Sequence, residues 1–352
     1  MRILITGNMG YVGPAVLKHL RAMWPSAYLA GYDAGFFSAY VTDPGAIPET
    51  QLDVQHFGDV RQFPKELLGG FDAVVHLAAI SNDPMGKQFE EATDEVNHRA
   101  SVRLAALCAE AGVSRFVFAS SCSVYGFAGD GRARSEADAV NPLTAYARSK
   151  IAAELALKQA SLGDLKVRCL RFATACGASE RIRLDLVLND FVACALSRGE
   201  ISVLSDGTPW RPLIDVADMA RAIEWAITDE AEPNFLSLNV GASDWNFQVK
   251  DIADAVAAEI PGTRVSINTQ AQPDNRSYRV DFTEFARRAP NHQPALTLPE
   301  SIRRVRDQLQ SIGFRDPDFR TSRFVRLGAL NHLIESDRLG SDLAWNRGNP
   351  SS

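Results

Sequence analysis

Through its first half the chain alternates short, nearly continuous apolar runs with longer stretches in which apolar residues recur every three or four positions. RILIT, AYLAGYD, DAVVHLAA, RFVFASS and LKVRCLRF read as strands, and residues 11–21, 88–111 and 143–162 read as helices between them. The strands do not alternate apolar with polar residues, as expected when helices cover a parallel sheet on both faces. This rhythm predicts an α/β fold, a Rossmann-type doubly wound parallel sheet whose carboxyl ends carry the ligand.

After Phe172 the rhythm loosens. Helices are predicted over 184–197, 215–227, 249–259 and 299–312, with short extended segments at ISVLS, TRVSIN and SYRVDF and a turn at DGTPW. FLSLNV is expected to return to the main sheet. The remainder would form a smaller C-terminal α/β lobe, with substrate in the cleft between the two lobes. The last stretch, LGSDLAWNRGNPSS, holds turn formers without periodicity and predicts a flexible tail, or one lying over the surface.

With 46% hydrophobic residues among 352, a large core is available. A net charge of −6, without a basic block interleaved with aromatics, argues against nucleic acid as a partner. The first apolar run turns into a glycine loop too early for a signal peptide or a membrane helix, so a cytoplasmic protein without a membrane partner is expected. Cys108, Cys122, Cys169, Cys176 and Cys194 lack CxxC or Cys/His spacing, so no metal is expected and they read as small buried hydrophobes.

Thr6-Gly7-Asn8-Met9-Gly10-Tyr11-Val12-Gly13 lies directly between a predicted strand and a predicted helix. Glycines in such a loop permit a tight turn, approach of backbone to a pyrophosphate, and close packing of helix on strand. Asp33 ends the second strand, where a carboxylate accepts from adenosine ribose hydroxyls and repels a 2′-phosphate; NAD is therefore favoured over NADP. No arginine lies between Asp33 and Arg61, although Asp33 could instead cap a turn. Asp59-Val60 after the third run, and Leu77-Ala78-Ala79 after the fourth, place small or acidic residues where a flat cofactor would pass.

Ser121 follows the fifth strand, and Tyr146 and Lys150 stand four apart on the next predicted helix, so both point one way. A tyrosine titrates near ~10, and a cation within about 4 to 6 Å lowers that by roughly 1 to 3. On this reading Lys150 makes Tyr146 an acid or base usable near neutrality, able to exchange a carbinol proton as a hydride moves, while Ser121 holds the same oxygen.

The glycine loop, the acid after the second strand, Asp59-Val60, HLAA, SSCSVYG and the Tyr146–Lys150 pair together resemble the extended short-chain dehydrogenase/reductases of the NAD-dependent epimerase/dehydratase family. The resemblance covers roughly residues 1–330. It implies an NAD-binding Rossmann domain over 1–172, with a return segment at about 212–241, and a substrate lobe over 173–211 and 242–338, leaving 339–352 as the tail. It also implies Tyr146 as acid/base, Lys150 on the nicotinamide ribose, Ser121 on the reacting oxygen, Asn97 as support for the lysine, and a nucleotide-diphosphate sugar as substrate. Asn97 could equally be a plain helix cap. Ser81, Ser121, Thr174 and Arg211 are the expected substrate contacts, Arg211 near the phosphates; Arg183 is a weaker candidate, expected in a surface ion pair. The helices over 88–111 and 143–162 are expected to pair in a homodimer.

Dehydratases resembling this family carry Asp and Glu after the catalytic serine or threonine, whereas this chain has Cys122 and Ser123. That disfavours a 4,6-dehydratase and a sugar-acid decarboxylase. Reversible oxidation of a ring carbinol remains, giving an epimerase if the keto sugar turns over in the site, or a reductase or dehydrogenase if it leaves. The epimerase is favoured. A non-catalytic dinucleotide sensor is a further reading, opposed by Ser121, Tyr146 and Lys150.

Overall fold

A computed structural model describes residues 1–42, 47–128, 131–271 and 277–346. The strands of the main sheet are β1 (Arg2–Thr6), β2 (Tyr28–Asp33), β3 (Val54–Phe57), β4 (Ala73–His76), β5 (Arg115–Ser121), β6 (Lys166–Phe172) and β7 (Phe235–Val240). Among the described residues they form one parallel sheet in the order β3-β2-β1-β4-β5-β6-β7. Strand order reverses between β1 and β4, and a doubly wound sheet opens its ligand crevice at the carboxyl ends there.

The apolar runs are buried because successive side chains enter opposite cores. Ile3, Ile5, Val75 and Val117 join one cluster, while Leu4, Val74, Phe116 and Phe118 join the other. The helices that cover the faces and build the lobe are α1 (Gly13–Met23), α2 (Ala100–Glu110), α3 (Ala145–Gln159), α4 (Val187–Arg198), α5 (Val216–Thr228), α6 (Val249–Glu259), α7 (Leu298–Ser311) and α8 (Arg326–Glu335). α1 starts two residues later than periodicity predicts, because Pro14 occupies the first turn, where its missing N–H is no loss. α5 starts at Val216 rather than 215, since the Asp215 side chain accepts from the Ala217 N–H as its cap.

The helix predicted over 88–111 is helical from Glu90 to Glu110, with one widened turn inside it. A short helix, Asp83–Gln88, ends at Phe89 (φ −123°, ψ 53°), and Glu90–Asp94 leads through a wide turn at Glu95–Arg99 into α2. Asn97 lies in that wide turn, a distortion that commonly accompanies functional sites.

In the smaller lobe Trp210–Asp215 pairs with Thr174–Cys176 and with Asn246–Gln248, and Glu200–Val203 pairs with Arg264–Ile267. Helices α4, α6 and α7 pack together beside them. The expected loose tail is docked as far as Asn346: Leu339 and Leu343 are buried, Leu339 bridges to Trp345, and the Trp345 indole donates to the Ala34 carbonyl at 2.6 Å. Residues 347–352 lie outside the described residues. Among the described residues no helix is long and apolar enough to cross a membrane, and no group of three or more acidic, histidine or cysteine side chains is placed to hold a metal.

Candidate active site

A cavity of about 700 Å³ runs from the glycine loop to the smaller lobe. At one end Gly7, Gly10, Tyr11 and Val12 form the floor, with Asp33, Asp59 and Val60 on one side and Leu77, Ala78 and Ala79 on the other. Gly7 has φ +74°, and a Cβ there would stand 2.4 Å from the Ala78 backbone nitrogen. A Cβ on Gly13 would stand 1.9 Å from the Asn8 carbonyl oxygen. Both positions therefore exclude any side chain, so the loop can lie flat under a dinucleotide while α1 aims its N-terminus at the phosphates. The Asp33 carboxylate accepts from the N–H groups of Met9 (3.0 Å) and Gly35 (2.7 Å), which fixes it at the end of β2; burial still pushes it upward from the ordinary carboxylate range.

Four of the expected cofactor residues stand behind this lining. Asn8 donates to Gln55 at 2.6 Å, Met9 and Gly13 shape the loop, and Asn97 accepts from the Ile80 N–H and donates to the Ile80 carbonyl and to Ser149. Asn97 is thus not a plain helix cap and does not touch Lys150; it ties the turn after β4 to α3.

At the centre, Ser121, Tyr146 and Lys150 come together as the spacing predicts. The Thr144 side chain caps α3 by accepting from Ala147, which sets the first turn that carries Tyr146. Ser121 neighbours Tyr146 closely enough to favour its charged form. Lys150 donates to the Ala119 carbonyl at 2.8 Å, and its ammonium nitrogen is 5.8 Å from the Tyr146 ring centroid.

The electrostatics differ from the expectation. Burial pushes Tyr146 up to about 12, opposed by Ser121, and burial pushes Lys150 down to about 7, opposed by Glu154. The lysine therefore does not by itself make the phenol acidic. Desolvation dominates both groups and disfavours the charged form of each.

Toward the smaller lobe the cavity meets Ser81, Thr174 and Arg211, as expected, and also Tyr278. Arg183 is buried rather than in a surface pair: it grips Asp185 at 3.0 and 2.8 Å and donates to Ser81 at 3.1 Å. Ser123 lines the cavity with a buried hydroxyl that has no partner among the described residues. Cys122 turns away, its thiol donating to the Arg171 carbonyl and burial pushing it well above the ordinary thiol range. The other four cysteines are likewise free and buried.

Sequence reading missed Tyr278, Arg326, Leu330 and Leu343, all on the cavity wall. It also missed the pair beneath the site, in which Arg171 binds Glu154 at 2.7 Å, one helical turn after Lys150. Only the two arginines of KVRCLRF, Arg168 and Arg171, within a buried strand signalled buried partners.

The parallel sheet, the glycine loop under the crevice and the Ser, Tyr and Lys beside it define a dinucleotide-dependent enzyme of the extended short-chain dehydrogenase/reductase type. The model of the NAD dependent epimerase/dehydratase family matches residues 3–241, and the chain belongs to that family; its cofactor is NAD. A UDP-glucose 4-epimerase of Corynebacterium glutamicum is 27% identical over 286 residues, covering 74% of this chain and 81% of that protein. Among solved structures, TunA, an NAD-dependent NDP-hexosamine 5,6-dehydratase involved in tunicamycin biosynthesis, is 26% identical with a TM-score of 0.75, covering 90% of this chain and 99% of that one. MoeE5, solved with UDP-glucuronic acid and NAD, is 26% identical with a TM-score of 0.73, covering 88% and 99%.

Proposed function

We propose that the protein is a nucleotide-diphosphate-sugar epimerase, oxidising a ring carbinol reversibly and reducing the resulting keto sugar on its other face, as a 4-epimerase does. The observation that carries this reading is that Ser121, Tyr146 and Lys150 line one wall of a cavity that joins the glycine loop to Thr174, Tyr278 and Arg211. NAD, when bound, would supply the hydride acceptor and a positive charge that would favour the phenolate of Tyr146.

Tyr146 then takes the carbinol proton and later returns it, and Ser121 keeps the reacting oxygen in line. Lys150, anchored on Ala119, can donate its remaining protons toward a ribose hydroxyl at the same wall. Thr174, Tyr278 and the open hydroxyl of Ser123 face the sugar, while Arg211 offers a guanidinium to a diphosphate. Cys122 and Ser123 supply neither the acid nor the carboxylate base that elimination of water needs, which supports an epimerase over a dehydratase.

The test is to incubate the NAD-loaded protein with UDP-glucose, UDP-galactose, UDP-glucuronic acid and their N-acetyl counterparts, and to follow sugar configuration by NMR. Interconversion of one pair, lost in Tyr146→Phe, supports the epimerase. A released keto sugar with stoichiometric reduced NAD would replace it with a dehydrogenase; inertness of wild type and mutant alike, with NAD bound, would replace it with a sensor.

We also propose a homodimer paired through residues 88–111 and 143–162. Leu155, 52% exposed on α3, supports such a face. Sedimentation showing only monomer at micromolar concentration would refute it.

A further inference from the structure

Arg326 opens α8 and lines the dinucleotide end of the cavity while only 2% exposed. Its guanidinium carbon lies 4.2 Å from the Phe37 ring centroid, and its Nη2 donates to the Arg181 carbonyl at 2.8 Å. Its Nη1 has no acceptor among the described residues. Burial, and then Arg183, depress this guanidinium to about 9, with Asp185 pulling the other way, so it remains cationic at neutral pH.

An enclosed cationic N–H without an acceptor carries a large desolvation cost. The nearby carboxylates already have donors: Asp185 holds Arg183 and accepts from Asn82 at 2.6 Å, and Asp33 holds the N–H groups of Met9 and Gly35. The missing acceptor therefore belongs to whatever fills the cavity. Arg326 lies within electrostatic reach both of Asp33, the ribose-facing acid, and of Arg183 with Asp185, beside Ser81. In a dinucleotide stretched between the adenosine ribose and the nicotinamide, the segment between those two stations is the pyrophosphate.

The chain after α8 continues over the adenosine end. Arg61, paired with Asp59, donates to the carbonyls of Asp342 (2.8 Å) and Leu343 (3.1 Å). Leu343 lines the cavity at φ +58°, a conformation costly for leucine that persists only where its surroundings enforce it. Trp345 fixes the far side, bonded to Ala34 and with its ring 5.6 Å from Phe36.

We infer that α8 and the segment Leu339–Trp345 form a clasp on the bound dinucleotide, in which Arg326 donates Nη1 to the pyrophosphate and the docked segment closes the adenosine end. The clasp rests on NAD as the cofactor, not on the sugar chemistry. It adds a donor to the pyrophosphate that the glycine loop lacks, and it slows release of the cofactor, which an epimerase needs to keep between its two hydride transfers.

The test is equilibrium binding of NAD, NADP, ADP-ribose and adenosine to wild type, Arg326→Gln and Trp345→Ala, with NAD dissociation followed by displacement and folding checked by circular dichroism. Arg326→Gln should weaken NAD and ADP-ribose about tenfold to a hundredfold, as for a lost hydrogen bond from a charged donor, and leave adenosine unchanged. Trp345→Ala should speed NAD release about tenfold or more and weaken adenosine as well. Equal NAD affinity in wild type and Arg326→Gln overturns the clasp, as does a loss confined to NADP. Should Arg326→Gln fail to fold, Trp345→Ala decides: unchanged NAD release overturns the clasp. Wild type that binds no NAD would instead overturn the cofactor assignment itself.

Discussion

Lys150 follows Tyr146 by one helical turn yet directs its ammonium to the carbonyl of Ala119, 2.8 Å away, at the end of β5. Its folded-state value near 7 lies below the 10.5 of an exposed lysine. Between those values the unfolded chain binds a proton on this lysine that the folded chain does not, so the contribution of Lys150 to stability rises as pH increases from about 7 toward 10.5. In dinucleotide-free protein, the denaturation midpoint of wild type relative to Lys150→Met should therefore rise with pH across that range. A parallel pH dependence in both proteins would place the titration elsewhere.

His76 gives the opposite limb. Ser101 donates to the Asn97 carbonyl, so it accepts from His76 Nε2, leaving Nδ1 to accept from Thr6 at 2.6 Å. This neutral ring is satisfied on both nitrogens, and burial, helped by Lys150, pushes it down to about 3. Unfolding takes up a proton below about 6.5, so stability falls as pH drops from there toward 3, by up to on the order of 4 kcal/mol. His76→Gln should retain more of its stability at pH 5 than wild type relative to pH 7, measured by urea unfolding.

Glu154 accepts from Arg171 and from Ser120 and Ser237 at the base of the site. Glu154→Gln leaves a buried guanidinium underpaired and should cost about 3–5 kcal/mol. It also removes the group that raises Lys150, so the alkaline limb described above should begin at lower pH. Thermal unfolding of the mutant across pH checks both effects.

The Ser123 hydroxyl has no hydrogen-bond partner among the described residues. Ser123→Ala should therefore leave the melting temperature almost unchanged, while KM for the sugar nucleotide rises about threefold to tenfold if the hydroxyl meets the sugar. A fall in stability with unchanged KM would assign the residue to packing.

The strands, the glycine loop and the Ser121, Tyr146 and Lys150 set were legible because each is written in local spacing: continuous apolar runs, Gly7 and Gly13, and a four-residue helical interval. The helix over 88–111 was legible in its periodicity, but its widened turn at Glu95–Arg99 was not, because no periodicity records the tertiary bonds of Asn97 to Ile80 and Ser149. The docked tail was illegible for the same reason, since Trp345 reaches Ala34 across 311 positions. The state of Tyr146 was misjudged because a one-turn interval shows proximity to Lys150 but not the burial that pushes both away from charge.

The central claim is that Tyr146 and Ser121 serve a hydride that leaves a ring carbon and returns to it. Conversion of UDP-glucose carrying deuterium at carbon 4, or of whichever sugar the panel identifies, labelled at its reacting carbon, measures this directly by NMR and mass spectrometry. The account predicts that the label stays on that carbon with configuration inverted. Label moved to carbon 6 with loss of water, or transferred permanently to NAD, would contradict it.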